Sequence, residues 1–280
     1  MRRIGPGTPP FNHMILDQKL IVVMPAYNAA KTLEATYRDI PRELVDEIIL
    51  VDDASQDETI RVAKALGLTV YSHDRNRGYG GNQKSCYRLA LERNADIVVM
   101  LHPDYQYDPR LIAPMAGMIA SGAWDMVMGS RILASDPACG GMPRYKYIAN
   151  RVLTFIQNQM LSAKLSEYHT GYRAYHRRVL ETLPLAANGD DFVFDNQLLA
   201  QAIFFNFRIG EISCPAKYFP EASSIGFFQS VKYGQGVLRT SLQFVLEKMN
   251  FAHFPLFERK KSDGFIEAEK GKPVLIPDFR

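Results

Sequence analysis

The chain has 280 residues, with 33 lysines and arginines against 30 aspartates and glutamates and a formal net charge of +3. A charge this close to balance excludes a strongly basic protein of the kind that binds nucleic acid through its overall field, so we expect no nucleic-acid partner, and local basic patches stay open. Three widely spaced cysteines fit reduced thiols better than a disulfide framework, and no run reaches about 20 apolar residues. We therefore expect a cytoplasmic protein that is soluble or peripheral to a membrane.

In the first half of the chain, short apolar runs alternate with amphipathic stretches. The apolar runs predict strands at residues 19–24, 47–51, 69–71, 97–101 and 126–128, and the stretches between them predict helices at 29–40, 57–65, 81–92 and 110–121. These strands are too uniformly apolar to leave one face in water, which is typical of a covered parallel sheet. The pattern predicts an α/β fold with a central, mainly parallel sheet flanked by helices.

The second half of the chain has a less regular pattern. A Gly/Pro segment at 134–143 is expected to be a mobile loop, helices are predicted at 145–161 and 194–205, and a strand at 208–213. Residues 227–257 have apolar side chains at helical spacing, with Lys232, Arg239 and Lys248 interleaved. That stretch fits core packing, the commoner case, or an amphipathic helix on a bilayer surface.

These patterns divide the chain into four parts. Residues 1–18 form an N-terminal extension, and residues 19–225 form one domain whose two halves meet near residue 131. Residues 226–257 form the amphipathic helical segment, and residues 258–280 form a charged tail that we expect to be poorly ordered.

Polar side chains follow four of the predicted strands, at the points where the strands end. Since ligands of open α/β sheets bind at the carboxyl edge, these side chains predict a binding site there. Any one of them could instead cap a helix or close a turn, but four together favour a site. In chain order they are Pro25-Ala26-Tyr27-Asn28, Asp52-Asp53, the octet at 101–108 with His102, Asp104 and Gln106, and Gly129-Ser130-Arg131.

Two phosphate-binding motifs are missing or weak. No G-x-G-x-x-G follows the first strand, so a dehydrogenase is not expected. The segment 77–85 has several glycines before Lys84, yet it follows the third strand and has no glycine adjacent to that lysine. Its glycines are explained equally well by a tight turn and close helix packing.

Five segments in a fixed order resemble a known family. They are the segments 25–28, 51–59 and 76–80, the octet at 101–108, and residues 129–131. This order resembles the inverting glycosyltransferases of family two, and within them the dolichyl-phosphate mannose synthase and polyprenyl-phosphate glycosyltransferase branch. Thr170-Gly171-Tyr172-Arg173 resembles that branch's Ser-Gly-Phe-Arg segment. The resemblance implies a single-domain GT-A fold, with a nucleotide-sugar half at about 19–131 and an acceptor half at about 132–225.

The resemblance implies a nucleoside diphosphate sugar, a UDP-sugar or a GDP-sugar, as the donor. The family positions that hold base and ribose match Pro25, Ala26, Tyr27 and Asp53, with Asp52 as a neighbouring candidate. The set predicted to bind the donor is completed by Asn28, Gly78, Asp104 and Arg131.

A divalent metal, Mg²⁺ or Mn²⁺, is the cofactor that the resemblance implies. Asp104 matches the second carboxylate of the family's Asp-x-Asp motif, and Gln106 matches a further ligand. His102 departs from the family, since it stands in the place of the first acidic residue. An imidazole suits Mn²⁺ better than Mg²⁺, so His102 is a candidate ligand, a candidate phosphate contact, or a residue that only orients the loop.

The acceptor side is defined less sharply. Arg131 matches a phosphate-contacting arginine of the branch, and Arg151, Thr170 and Arg173 lie in segments near the acceptor in that family. Guanidinium groups suit phosphate oxygens. Residues 218–225, however, lack the Arg and Gly-x-Ser-Lys segment that the branch carries there. The acceptor therefore stays open between a polyprenyl phosphate and a glycan.

The acceptor decides whether a general base is needed. A polyprenyl phosphate is already an anion, whereas a sugar hydroxyl has to lose a proton. Asp195 is the predicted base, with Asp191 and Asp190 close behind it, and the predicted catalytic set is Asp195, Arg131 and Asp191. For Asp190 and Asp191, an acidic cluster at a helix N-terminus is an equally good interpretation.

The sequence as a whole predicts a metal-assisted, inverting glycosyltransferase of glycan or glycolipid biosynthesis, cytoplasmic or on the inner face of the membrane. One alternative is a non-catalytic nucleotide-sugar binding protein, and His102 is the only feature that favours it. The other is a sugar nucleotidyltransferase, but the Gly-rich phosphate loop of that class is missing after the first strand. Whether the protein forms a homo-oligomer stays open.

Overall fold

A computed structural model of the chain describes residues 17–133, 141–217, 226–259 and 274–275. Nearly all of the predicted N-terminal extension lies outside the described residues. So do most of the Gly/Pro segment at 134–143, the segment 218–225 and most of the charged tail. The predictions made for those stretches therefore have no structural counterpart here.

Within the described residues, eight strands form one sheet. They are β1 (Leu20–Ala26), β2 (Glu47–Asp52), β3 (Thr69–Ser72), β4 (Ile97–Met100), β5 (Met126–Ser130), β6 (Arg173–His176), β7 (Ile209–Ser213) and β8 (Val274–Leu275). Their order across the sheet is β7-β5-β6-β4-β1-β2-β3-β8. The pairs β4/β1, β1/β2, β2/β3 and β5/β7 are parallel, while β6 and β8 run antiparallel to their neighbours. The predicted mainly parallel sheet is confirmed.

Helices cover both faces of this sheet. The α-helices are α1 (Leu33–Arg38), α2 (Thr59–Ala65), α3 (Gly78–Glu92), α4 (Ile112–Ala120), α5 (Arg144–Leu161), α6 (Arg177–Thr182), α7 (Phe194–Phe204) and α8 (Phe227–Lys248). Along β1, Ile21 and Val23 belong to the core on one face and Val22 to the core on the other. This alternation explains why the strands are apolar throughout, because both faces are covered.

Two helices of the first half begin at other residues than predicted. Helix α1 begins at Leu33 rather than near residue 29, because the backbone N–H groups of Ala29 and Ala30 donate to Thr59 and Asp57 after the second strand. Helix α3 begins at Gly78 rather than near residue 81, since the buried Asp53 carboxylate accepts the backbone N–H of Gly78 at 3.1 Å. Both shifts are caused by contacts between loops at the carboxyl edge.

The second half contains elements that the sequence did not predict as such. Strand β6 inserts antiparallel between β4 and β5, α6 follows it directly, and two residues of the tail form β8 against β3. Helix α8 ends at Lys248, and Asn250, two residues further on, adopts a left-handed backbone conformation. A short 3₁₀ helix at Pro255–Phe257 follows. One face of α8 is buried through Val237 and Phe244, so core packing is confirmed for that face.

A bilayer span is not found among the helices of the described ranges: none of them is both long enough and apolar enough.

Candidate active site

The loops that follow β1, β2, β4 and β5 meet over one cleft of about 1190 Å³. Strands β4, β1 and β2 are adjacent and parallel, so their carboxyl ends lie side by side at the same edge of the sheet. Helices α5, α7 and α8 complete the wall. Most residues predicted for the site line this cleft, namely Pro25, Ala26, Tyr27, Asn28, Asp53, Gly78, His102, Asp104, Gln106, Arg131 and Asp195.

Asn28 joins the loop after β1 to the loop after β2. Its backbone N–H donates to Ser55 Oγ at 2.8 Å, and its side-chain Oδ1 accepts from the backbone N–H of Gln56 at 2.8 Å. Its φ of +52° lies in the left-handed region, which asparagine tolerates better than most residues. With these loops fixed, the ring of Tyr27 is left 54% exposed at the cleft, where it can stack on a flat group.

Asp53 is buried at the base of this wall but still borders the cleft. One carboxylate oxygen accepts from His73 Nδ1 at 2.8 Å and from the backbone N–H of Arg77 at 2.9 Å, and the other accepts from Gly78. Three donors thus fix the orientation of the carboxylate. An acceptor fixed in this way can recognise an N–H or O–H group of a bound nucleotide.

The neighbouring Asp52 has a different environment. It is fully buried and does not line the cleft, and its Oδ2 accepts from the backbone N–H of Ser55 at 2.9 Å. Its Oδ1 has no hydrogen-bond partner within the described residues. The geometry favours Asp53 over Asp52 as the residue that meets a donor, and Asp52 closes the turn.

The Gly78 position requires glycine for two reasons. Its φ is +82°, and a Cβ there would lie 2.6 Å from the backbone oxygen of Asp190. That oxygen also accepts the backbone N–H of Gly80 at 2.8 Å. The glycines at the start of α3 therefore allow the loop before α7 to approach closely. This is the packing explanation considered for the segment, although Gly78 itself borders the cleft.

The octet after β4 forms a tight loop that brings three candidate ligands to the cleft. Asp104 Oδ1 accepts the backbone N–H of Gln106 at 3.0 Å. Between them Tyr105 adopts a φ of +56° and donates its hydroxyl to Asp39 Oδ2 at 2.5 Å. The loop therefore turns sharply and is held from outside, while His102, Asp104 and Gln106 all line the cleft.

The donor atoms of this loop fit a cation that is held jointly with a diphosphate. Asp104 Oδ2 and His102 Nδ1 make no hydrogen bond to any described residue. No group of three or more His, Cys, Asp or Glu side chains lies close enough to form a complete metal cage in the described part of the chain. Mg²⁺ in nucleotide-binding enzymes usually takes one or two carboxylates and completes its shell with substrate phosphates and water. The residues present match that pattern.

Asp195, at the start of α7, lies at the centre of a hydrogen-bond network. Its Oδ2 accepts from the Tyr79 hydroxyl at 2.6 Å and its Oδ1 from Gln83 Nε2 at 3.1 Å. Burial, together with the negative charge of Asp195, raises the pKa of the Tyr79 hydroxyl well above its ordinary value. Tyr79 therefore stays protonated. The same hydroxyl lies 3.0 Å from His102 Nε2, so it connects the octet to Asp195.

Arg131, after β5, is paired with a buried carboxylate. Its Nε lies 2.8 Å from Glu167 Oε1, its Nη2 also contacts that carboxylate, and its Nη2 donates to the backbone oxygen of His169 at 2.8 Å. Burial opposes ionisation of Glu167, but the Arg131 charge and its hydrogen bonds outweigh burial and lower the pKa of the carboxyl. The pair holds Arg131 rigidly at the cleft wall.

Four other predicted site residues do not line the cleft. The guanidinium of Arg173 is fully buried and donates to the backbone oxygens of Thr170, Asp195 and Tyr168 at 2.9, 2.5 and 3.1 Å. This geometry favours a role in positioning Asp195 over contact with an acceptor. Thr170 is itself buried, and its Oγ1 accepts from the backbone N–H of Tyr172 at 3.3 Å.

The remaining two lie on the surface. Arg151 is exposed on α5 and donates to the backbone oxygen of Ser166 at 2.7 Å. Asp191 accepts the backbone N–H of Val193 at 3.0 Å just before α7, a position that agrees with the alternative interpretation of an acidic cluster at a helix N-terminus. Its neighbour Asp190 pairs with Lys84 at 2.8 Å. Of the three aspartates, Asp195 alone lines the cleft.

Among the cleft residues that the sequence did not predict are His169 and Tyr233. His169 Nδ1 lies 2.8 Å from the Tyr233 hydroxyl. Burial, opposed by Glu167 and assisted by Arg131, lowers the pKa of His169 to about 4. The imidazole is therefore neutral at physiological pH. His169 precedes the Thr-Gly-Tyr-Arg segment directly, but nothing in the sequence places Tyr233 of α8 beside it.

A comparison with family models decides which family this fold and cleft represent. The model described as Glycosyl transferase family 2 matches residues 21–183, more than half of the chain. The chain belongs to glycosyl transferase family 2. It is therefore a family 2 glycosyltransferase, as the ordered motifs predicted.

Curated relatives of this family 2 glycosyltransferase include enzymes named for lipid phosphates. UDP-N-acetylglucosamine--dolichyl-phosphate N-acetylglucosaminyltransferase of Methanococcus voltae is 26% identical over 219 residues, which cover 72% of this chain and 87% of the relative. Polyprenol monophosphomannose synthase of Mycolicibacterium smegmatis is 24% identical over 203 residues, which cover 70% of this chain and 76% of the relative.

Solved structures confirm the GT-A fold. Glucosyl-3-phosphoglycerate synthase of Mycobacterium tuberculosis in complex with UDP aligns with a TM-score of 0.66 at 20% identity, covering 87% of this chain and 86% of that one. The same enzyme with Mn²⁺, UDP and glucosyl-3-phosphoglycerate aligns with a TM-score of 0.62 at 20% identity, covering 82% and 80%. At this identity the likeness concerns the fold alone.

Proposed function

We propose that this glycosyltransferase transfers a sugar from a UDP-sugar or GDP-sugar to a polyprenyl phosphate or a glycan, with inversion at the anomeric carbon and help from a divalent cation. One observation carries the proposal. A single cleft is bordered by the wall with Tyr27 and Asp53, the ligand-bearing loop with Asp104, and the carboxylate of Asp195. Groups suited to a nucleotide, a metal diphosphate and an acceptor thus face one space.

The donor half of the cleft suits a nucleoside diphosphate. Tyr27 offers an exposed ring for stacking on the base, and Asp53 offers a fixed acceptor below it. Asp104, Gln106 and His102 would hold the cation, which when bound neutralises charge that develops on the departing diphosphate. Support comes from the neighbouring enzyme that was crystallised with Mn²⁺ and UDP.

Inversion requires the acceptor oxygen to attack the anomeric carbon from the face opposite the diphosphate. The new carbon–oxygen bond forms as the bond to the diphosphate oxygen breaks, and the nucleoside diphosphate departs with that electron pair. A hydroxyl acceptor would pass its proton to the Asp195 carboxylate, which lines the cleft. A phosphate acceptor would need no base, and Asp195 would then have only a positioning role in the cleft.

A polyprenyl phosphate acceptor is supported by basic groups on the acceptor side. Arg131 and Lys146 both line the cleft, and Arg131 is held in place by Glu167. Both relatives described above carry a lipid phosphate or a polyprenol in their names. Phosphate oxygens accept hydrogen bonds from guanidinium and ammonium groups at neutral pH.

We further propose that the protein docks on anionic lipid through the exposed face of α5. Ile148, Val152 and Phe155 are 61%, 51% and 65% exposed and follow at helical spacing, and Ile148 and Val152 also line the cleft. Helix α5 has three basic residues and no acidic residue. An apolar stripe flanked by positive charge suits a negatively charged bilayer, and its continuity with the cleft would bring a lipid-linked acceptor to the site.

A turnover assay tests this proposal. Purified protein with Mn²⁺ is supplied with a panel of UDP-sugars and GDP-sugars, with and without an acceptor, which is either a set of glycans or vesicles that contain a polyprenyl phosphate. Release of nucleoside diphosphate is measured. Release that depends on the acceptor is expected for one donor. Tight donor binding in calorimetry with no release under any condition would instead indicate the non-catalytic binding protein.

A further inference from the structure

Tyr79 lies between the two parts of the cleft that the proposed reaction needs. Its hydroxyl is 2.6 Å from Asp195 Oδ2 and 3.0 Å from His102 Nε2. Its ring stacks on His102 with centroids 5.4 Å apart and contacts Phe192 at 4.8 Å. The residue therefore connects the variant position of the octet with the carboxylate at the start of α7.

The direction of these hydrogen bonds follows from counting protons. Gln83 Oε1 accepts from the Tyr87 hydroxyl at 2.8 Å, so the Gln83 amide nitrogen is the group that faces Asp195 Oδ1. Asp195 consequently accepts on both of its oxygens. A tyrosine hydroxyl has one proton, and Tyr79 gives it to Asp195. Toward His102 the Tyr79 oxygen is left only as an acceptor.

The His102 ring is held in one orientation. Since the Tyr79 oxygen accepts, Nε2 of His102 has to carry the proton that joins them, and in a neutral imidazole Nδ1 is then the unprotonated nitrogen. Nδ1 makes no hydrogen bond to any residue in the described ranges. Gly171 packs against the Nε2 end of the ring, because a Cβ at this position would lie 2.6 Å from His102 Nε2 and 2.8 Å from the Tyr79 hydroxyl.

We propose that Tyr79 is a positioning residue that keeps the His102 proton on Nε2 and leaves the Nδ1 lone pair free for the cation of the donor site. Ligating histidines usually donate their second ring N–H to a fixed oxygen, which sets the tautomer and the ring orientation. This role explains how a histidine can serve where the family has an acidic residue. The metal part of the inference rests on the proposed function, whereas the tautomer does not.

The tautomer is measurable without donor, acceptor or turnover. Protein labelled with ¹⁵N at its histidines is recorded by two-bond ¹H–¹⁵N correlation at pH 7.5 or above, and the His102 signals are assigned by their loss in His102→Gln. In the wild type we expect His102 protonated on Nε2 alone. A His102 protonated on Nδ1 overturns the proposal, whatever the protein catalyses.

The variant Tyr79→Phe keeps the stacked ring and removes only the hydroxyl. We expect its His102 signals to shift toward a mixture of tautomers and its affinity for Mn²⁺ in the presence of UDP, measured by electron paramagnetic resonance, to fall about 10-fold or more. Tyr71→Phe is the matched control, since it removes a hydrogen bond from Arg93 outside the cleft lining, and both readouts should stay unchanged. Wild-type Mn²⁺ affinity in Tyr79→Phe overturns the inference.

One further outcome separates this inference from the proposed function. If the wild type with UDP binds no Mn²⁺, the metal part of the proposed function and of this inference both fail. The imidazole spectrum would still decide whether Tyr79 fixes the His102 tautomer.

Discussion

The hydroxyl of Tyr79 and Oδ2 of Asp195 lie 2.6 Å apart, although the two residues are 116 positions apart in the chain. The contact fixes the carboxylate that we propose as the base for a hydroxyl acceptor. Asp195→Asn keeps the shape of the side chain but cannot take up a proton. With a glycan acceptor, kcat should fall by about 10²- to 10⁴-fold while the donor Kd measured without metal is unchanged.

The measurement for Asp195→Asn is steady-state turnover together with calorimetric titration of the donor. Nearly full kcat in this variant would contradict the assignment of Asp195 as the general base. It would favour an acceptor that arrives as a phosphate. Asp191→Asn is the matched control, since Asp191 does not line the cleft and lies just before α7, and the kcat of this variant should stay close to that of the wild type.

His102→Asp restores the acidic residue that the family resemblance implies for this position. A carboxylate is a harder ligand than an imidazole, so Mg²⁺ should support turnover in the variant at least as well as in the wild type, and the preference for Mn²⁺ should narrow. The measurement is the ratio of kcat/KM with Mn²⁺ to that with Mg²⁺. An inactive but folded variant with normal UDP binding would show that the imidazole itself is required.

The neutral state of His169 gives a prediction about pH. Its pKa is lowered to about 4, chiefly by burial, whereas a histidine in the unfolded chain titrates near about 6.5. Between these values the unfolded state binds more protons, so the contribution of His169 to stability is complete above about pH 6.5 and is lost as pH falls toward about 4. Urea denaturation at pH 7 and pH 5 should show a smaller loss for His169→Gln than for the wild type.

The control for this prediction is a direct titration. The imidazole C–H signal of His169 should move with a midpoint near pH 4 in the wild type. A midpoint near 6.5, or an equal loss of stability in both proteins, would contradict the buried neutral imidazole.

The exposed face of α5 gives a prediction about lipid binding. Phe155 is 65% exposed, and burying a phenylalanine side chain contributes about 1.5–3 kcal/mol. Phe155→Glu should therefore weaken binding to phosphatidylglycerol vesicles by about 10-fold or more, measured by co-sedimentation. The control is Leu275→Glu, since Leu275 is exposed on the edge strand β8, and this variant should bind as the wild type does. Equal binding by Phe155→Glu would contradict docking through α5.

The carboxyl edge of the sheet could be predicted from the sequence because it depends on local signals. Each apolar run ends at a polar residue, and parallel strands bring those ends together, so the sequence predicts one site for Tyr27, Asp53 and Asp104, all of which line the cleft. Strand β6 was missed because it is short and its residues, Arg-Ala-Tyr-His, form no apolar run. Only its pairing with β4 and β5 makes it a strand.

The contacts that organise the cleft could not be predicted, since they join distant segments. Tyr79 was part of a glycine-rich segment considered for phosphate binding, and nothing local indicates that its hydroxyl reaches His102 and Asp195. Arg173 illustrates the opposite error. An arginine in a family motif suggests a phosphate contact, but three backbone oxygens already occupy its guanidinium inside the core.

The proposed function depends most directly on Asp104, whose Oδ2 has no hydrogen-bond partner among the described residues and whose loop carries the other candidate ligands to the cleft. The decisive measurement is calorimetric titration of UDP into wild type and Asp104→Ala, with and without Mn²⁺. We predict that Mn²⁺ strengthens UDP binding in the wild type and that Asp104→Ala loses this gain, about 10- to 100-fold in Kd. An Asp104→Ala protein that binds UDP with the same Mn²⁺-dependent affinity as the wild type would contradict the assignment of the donor site.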